Sequence, residues 1–202
     1  MELWHRLGPF TVFDFETTGM SPVRDRIVEI GALRVEKDGS LSRFETLVNP
    51  AVPIPFQVSR VHGIDDSMVA DAPFFPEAGA RFLDFIRGSS LVAHNARFDL
   101  SFLQESLSRA GLPLWNGGAY DSIALIRKAY PGLPSYSLQS LRTSLALSGD
   151  YPGTAHRAAF DAEMTMEAFS MAMKRLYQLF PPSSPPPPSS PPGSPPREEE
   201  EV

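Results

Sequence analysis

The chain has 202 residues, 42% of them hydrophobic, and a formal net charge of −6. That fits one soluble domain around a single buried core and excludes two large domains. It contains no cysteine, which removes disulfides, thiolate nucleophiles and cysteine-ligated zinc or iron–sulfur centres, so any metal must sit on oxygen or imidazole. No apolar run approaches the roughly 18 residues needed to cross a bilayer, and the first residues lack a basic-then-apolar export signal. A cytoplasmic protein with no membrane partner is the expectation.

In chain order, Phe10 to Glu16 alternates β-branched and aromatic residues, Ile27 to Glu36 has a long strand pattern, and Lys37-Asp38-Gly39-Ser40 supplies a turn before a strand from Leu41 to Val48. This predicts an antiparallel start of three strands. Phe75, Ala78, Phe82 and Phe85/Ile86 then recur at helical spacing, followed by a short strand from Leu91 to Ala93 and a helix on which Leu100, Leu103 and Leu107 share a face. A short strand is expected near Tyr120, and the last long helix carries the stripe Phe160, Met164, Ala168, Met171/Ala172 and Leu176. Hairpins followed by crossovers predict an α/β fold, a ribonuclease-H-like mixed sheet flanked by helices. From Pro181 the composition changes to proline blocks separated by Ser-Ser pairs, closing on Arg197 and the glutamates Glu198 to Glu201. We therefore divide the chain into a body, residues 1–180, and a solvated, disordered spacer with an acidic end, residues 181–202. The body alone is only mildly acidic, and its arginines are scattered through the sequence rather than clustered. Charge by itself does not suggest a nucleic-acid partner.

The chemistry-bearing residues are acidic. In Thr11-Val12-Phe13-Asp14-Phe15-Glu16 the side chains alternate between faces, so Asp14 and Glu16 project together about 7 Å apart while Phe13 and Phe15 point into the core. Two carboxylates on one face repel unless a proton or cation sits between them, and a hard divalent ion is the natural solution. Thr17-Thr18-Gly19-Met20 forms a loop at the end of that strand, where backbone amides and hydroxyls can meet a ligand. Asp99 follows the next strand end, in the first turn of a helix, where a carboxylate is favourable to the helix dipole whatever its function. Asp161 lies in the first turns of the last helix. His156 lies five positions earlier and converges on Asp161 only from the preceding loop, because five residues of ideal helix separate two side chains by about 140°. Tyr151-Pro152-Gly153-Thr154 supplies such a loop, and an imidazole beside a metal cluster is what a general base requires. His94, beside Asn95, is read as a structural hydrogen-bonding group.

Taken together, DFETTG, HNARFD and HRAAFD, in this order and spacing, resemble the DEDDh family of 3′→5′ exonucleases over about residues 9 to 176. Thr17-Thr18-Gly19-Met20 and Val61-His62-Gly63-Ile64 look most like the proofreading epsilon subunit of bacterial DNA polymerase III and the related exonuclease domain of the Gram-positive polymerase. The resemblance implies two Mg²⁺ or Mn²⁺ ions held by Asp14, Glu16, Asp99 and Asp161, stabilising the attacking and leaving oxygens of a phosphodiester displacement. It implies that Asp14 bridges both ions, that Glu16 and Asp161 hold the ion nearer the attacking water, and that Asp99 acts on the other. His156 matches the general base. By the same resemblance Thr17 and Thr18 meet the terminal hydroxyl, Met20, Val61 and Phe98 pack on terminal bases, and Gln57 and His62 contact the terminal nucleotide. Met20 and Phe98 have plain core packing as an equal alternative.

The reading that follows is a metal-dependent exonuclease releasing nucleoside 5′-monophosphates from single-stranded or frayed DNA 3′ ends, in proofreading or repair. Two alternatives stay open. One is trimming of RNA 3′ ends with the same acids, since the choice rests on contacts to the 2′-OH and bases that motifs do not reveal. The other is an interaction subunit tethered to a DNA polymerase assembly.

Overall fold

In a computed structural model of the chain, residues 4–147 and 157–181 are described; the spacer after Pro181 and the segment holding His156 lie outside them. A five-stranded sheet runs in the order β3-β2-β1-β4-β5. Its first three strands, β1 (Phe10–Thr17), β2 (Ile27–Val35) and β3 (Leu41–Leu47), are antiparallel, while β4 (Ser90–Ala93) and β5 (Ala119–Asp121) join β1 in parallel. This is the mixed sheet the sequence predicts. Between β3 and β4 the periodicity suggests one helix, but there are three: α1 (Phe56–His62), α2 (Asp66–Val69) and α3 (Phe75–Phe85). The first two are too short to show a hydrophobic period, and a side-chain cap makes α2, whose Asp65 carboxylate accepts from the amides of Ser67 and Met68. The helices α4 (Ala96–Arg109), α5 (Ser122–Ala129), α6 (Leu138–Ser144) and α7 (Ala158–Leu179) follow.

Strand β1 is central and buried on both faces, as a crossover sheet requires. Phe13 and Phe15 join Ile30, Phe82, Phe102 and Leu103 under α3 and α4. On the opposite face Phe10 and Val12 pack with Phe169 of α7, and α7 continues onto α5 and α6 through Phe160, Met164, Ala168 and Ala172. The two faces therefore clamp β1 between helices, and its C-terminal half carries Asp14 and Glu16 toward the side covered by α7.

Two features of β2 let the N-terminus of α7 reach that place. A Cβ built on Gly31 would lie 2.2 Å from the backbone nitrogen of Ala159 and 2.3 Å from the carbonyl carbon of Ala158, so the first turn of α7 crosses the strand where a side chain is missing. Between the pairs Glu16↔Glu29 and Thr17↔Ile27 the register shifts by one residue, leaving Val28 as an extra residue beside the acids. Such bulges re-aim side chains at functional edges. Val28 packs with Ile54 and Ile64, which flank α1, and with Val69 of α2.

Substituting Gly31→Ala forces the backbone of α7 off β2. We expect a stability loss near 3 kcal/mol, about the upper range for overpacking, and a melting temperature lower by roughly 6–12 °C. Thermal unfolding followed by circular dichroism measures it, and an unchanged midpoint would contradict the close crossing.

Candidate active site

Three carboxylates meet where β1 ends and α7 begins. One oxygen from each of Asp14, Glu16 and Asp161 lies within 4.8 Å of the other two, although Asp161 is about 145 residues further along the chain. Asp99, buried, reaches the same strand from α4, and its Oδ1 accepts the amide of Phe15 at 3.1 Å. That bond fixes Asp99 beside the trio, and its charge acts on Asp14 more strongly than those of Asp161 and Glu16. The turn into α4 is set by Asn95 with φ of 63°, a left-handed conformation that asparagine tolerates better than most side chains.

The electrostatics follow from this crowding. Burial first, and then the neighbouring Asp99, Asp161, Glu16 and Glu29, hold the Asp14 carboxyl well above the usual range. Burial and the charges of Asp161, Glu29 and Asp99 push Glu16 up to about 8, with Arg157 opposing. Asp99 is pushed up to about 8, chiefly by burial, against the stabilising amide of Phe15. Carboxyls that hold protons this firmly when no cation is near are poised to exchange them for a divalent ion. All the facing donors are hard oxygens, which suits Mg²⁺ or Mn²⁺.

Sequence reasoning missed the group that aims Asp161. Glu29, 1% exposed, receives the Arg157 Nε at 3.0 and 3.1 Å, is also bonded by Arg157 Nη2, and accepts the Ala158 amide at 2.9 Å. A residue of the neighbouring strand thus caps the helix on which Asp161 sits, in the place where N-terminal amides need acceptors. The signal was available: in Ile27-Val28-Glu29-Ile30-Gly31 a carboxylate interrupts an otherwise apolar strand, and a buried charge of that kind must have a partner.

The proposed substrate residues divide by exposure. Met20 (80%) and Val61 (55%) stand out into solvent, Gln57 is exposed, and Phe98 is half-buried with its ring 4.9 Å from that of Phe102. Thr17, Thr18 and His62 are buried and bonded locally. The Thr17 hydroxyl donates to the Gly19 carbonyl at 2.6 Å, Thr18 Oγ1 accepts the Arg26 amide at 3.0 Å, and His62 Nδ1 accepts the Ile64 amide at 3.0 Å. In the loop after β1, Asp25 accepts the Ser21 amide at 2.8 Å; a Cβ on Gly19 would strike that carboxylate at 2.5 Å. His94 bonds Ser122 Oγ at 2.9 Å and the Tyr136 carbonyl at 2.8 Å, a structural role that ties β4 to α5 and the loop after it. His156 lies outside the described residues.

A family model described as exonuclease matches residues 11–169. The PolC-type DNA polymerase III of Caldanaerobacter subterraneus subsp. tengcongensis is 40% identical over 172 residues, which is 85% of this chain but 12% of that protein. The DNA polymerase III subunit epsilon of Treponema pallidum is 40% identical over 168 residues, covering 82% of this chain and 77% of the subunit. Among solved structures, exonuclease X in complex with 5′ overhanging duplex DNA superposes with a TM-score of 0.62 at 30% identity, over 84% of this chain and 92% of that one. The chain therefore spans a small part of the polymerase it matches and most of the smaller proteins.

Two outcomes follow from the geometry. Because Glu16 and Asp99 hold protons in the folded state up to about 8 while an unfolded carboxyl loses its proton near pH 4, the metal-free fold binds more protons than the unfolded chain between those values. Its stability falls as pH rises through that window. Millimolar Mg²⁺ or Mn²⁺ should reverse the fall, raising the melting temperature far more at pH 8 than at pH 5, as differential scanning calorimetry would show. Removing the cap by Glu29→Ala leaves Arg157 and the Ala158 amide without their acceptor, for a cost of about 2–3 kcal/mol given the partial exposure of the arginine. Urea unfolding would show the loss, and calorimetric titration a weaker Mg²⁺ affinity.

Proposed function

The chain belongs to the exonuclease family, and from that premise we propose that it is a metal-dependent 3′→5′ exonuclease releasing nucleoside 5′-monophosphates from single-stranded or frayed DNA 3′ ends. The convergence of Asp14, Glu16 and Asp161 at the end of β1, with Asp99 bonded alongside, carries this reading. The names of the relatives and the DNA-bound exonuclease X support the choice of DNA.

In this reading Asp14, Glu16, Asp161 and Asp99 would hold two Mg²⁺ or Mn²⁺ ions, which would supply charge stabilisation to the oxygens that attack and leave phosphorus. The protein's own contribution is to hold the four carboxylates in place against their repulsion, through β1, the Asp99–Phe15 bond and the Glu29 cap. His156 takes the proton of the attacking water on a ring nitrogen, a task suited to an imidazole with an ordinary pKa of about 6.5. Arg157, its neighbour, is fixed on Glu29.

Met20, Val61 and Phe98 offer apolar surface to the terminal bases and Gln57 an amide to the terminal nucleotide. Thr17 and Thr18 meet the terminal hydroxyl and His62 the terminal nucleotide, from within the two loops whose local bonds they also make. Association with a DNA polymerase, in proofreading or repair, is part of the same reading and rests on the polymerase III relatives.

Purified full-length protein with Mg²⁺ should shorten a 3′-terminal DNA strand one nucleotide at a time. Asp14→Ala and Asp161→Asn should abolish the release of nucleoside 5′-monophosphate with the fold retained, and His156→Ala should slow it about 10²–10⁴-fold. Undiminished turnover in either acid variant rejects the assignment.

A further inference from the structure

Helix α1 exposes Phe56 and Arg60, which the hydrolytic reading does not use, beside Gln57 and Val61, which it does. At about 100° per residue, Phe56, Arg60, Gln57 and Val61 spread over one arc of roughly 140°, and Val58, Ser59 and His62 occupy the other side. The burial follows the same division. All four residues of the first arc are exposed, Phe56 at 72%, whereas Val58 and Ser59 are half-buried and His62 is 2% exposed. The guanidinium of Arg60 lies over the Phe56 ring, 6.0 Å from its centroid. Among the described residues no carboxylate pairs with Arg60. The ring and the guanidinium stand side by side in water, and neither belongs to the hydrophobic clusters of the described residues.

The position of the helix gives the surface a meaning. Its C-terminal end runs into Ile64, which packs on Val28, the extra residue of β2 that sits next to Glu29 in the chain and opposite the step from Glu16 to Thr17. Val61 is thus at the end of α1 that is joined to this bulge through Ile64 and Val28, and Phe56 is at the other end, about one and a half turns away. A single strand laid along α1 would bring its phosphates to an arginine and its bases to an aromatic face. That combination recognises single-stranded nucleic acid without regard to sequence.

We propose that the Phe56–Arg60 face of α1 is a docking platform for the single-stranded segment upstream of the scissile phosphate, Phe56 stacking on a base and Arg60 contacting a phosphate. The platform rests on the nuclease reading and adds to it a dependence on substrate length: a dinucleotide is too short to reach it, whereas a strand of several residues covers it.

The test compares Phe56→Ala, Arg60→Ala and Phe56→Trp with the unaltered full-length protein, in Mg²⁺, on a thymidine dinucleotide and on a thymidine oligonucleotide of about twelve residues. Phe56→Ala should raise KM for the longer strand roughly tenfold, the size of effect expected from one lost stack, and leave dinucleotide turnover unchanged. Phe56→Trp should restore it. Arg60→Ala should reduce the slope of log KM against log salt by about 0.7, one phosphate contact on a single strand. If both alanine variants match the unaltered protein on the longer strand, or lose both substrates equally, the platform is overturned while the nuclease reading stands. If the unaltered protein cleaves neither substrate, the nuclease reading itself fails and the platform with it.

Discussion

Four carboxylates gathered out of water in one place repel each other, and the rest of the molecule is arranged around that repulsion. Left alone, such a cluster would splay or protonate, and the raised pKa values of Asp14, Glu16 and Asp99 show how far the balance is pushed toward the protonated form when no cation is near. The energy that keeps the groups together comes from elsewhere: the aromatic packing of Phe13 and Phe15 under α3 and α4, and of Phe10 under Phe169 of α7. Because β1 is buried on both faces, its acids cannot relax apart by bending the strand. The packing therefore holds these carboxylates closer together than their charges favour.

Charge of the opposite sign enters sparingly. Arg157 does not neutralise the cluster directly. It pairs with Glu29, and that pair with the Ala158 amide fixes the start of α7. The arrangement separates two tasks that a single arginine among the acids would confuse. A guanidinium in direct contact with Asp14 or Asp161 would compete with a metal for the same oxygens, whereas one step away it positions the helix and only moderates Glu16. On the opposite edge of α7, Arg43 of β3 pairs with Glu163, so both sides of the helix start are held to the sheet by acids that do not belong to the cluster.

In the proposed function, binding and chemistry fall on different elements. The acids project from a strand and two helix starts that are rigidly packed, while the apolar and cationic groups suited to nucleotides stand on the loop after β1 and on the exposed side of α1. This division accords with the mild net charge of the body. A nuclease acting at one strand end, as proposed, needs few phosphate contacts, and cations held in the cleft would cancel the local negative field. On that proposal overall charge is a poor guide to the partner, and local grouping a better one.

Much of this was legible along the chain. Strand and helix periods gave the order of the principal elements, because each buries one face and repeats accordingly, and the acidic motifs named Asp14, Glu16, Asp99 and Asp161 as one set before any distance was known. Short range was the limit. Helices α1 and α2 were illegible since four to seven residues complete too few turns to show a period, and the bulge at Val28 left no mark because register depends on the partner strand. Only the tertiary structure decided that Glu29 of β2 caps α7, that Gly31 lets the helix cross, and that Phe56 and Arg60 share an exposed face while Thr17, Thr18 and His62 are turned inward. A pattern along the chain records which faces are apolar. Which two faces then meet, and what a buried charge finds opposite it, is settled by packing between segments more than a hundred residues apart.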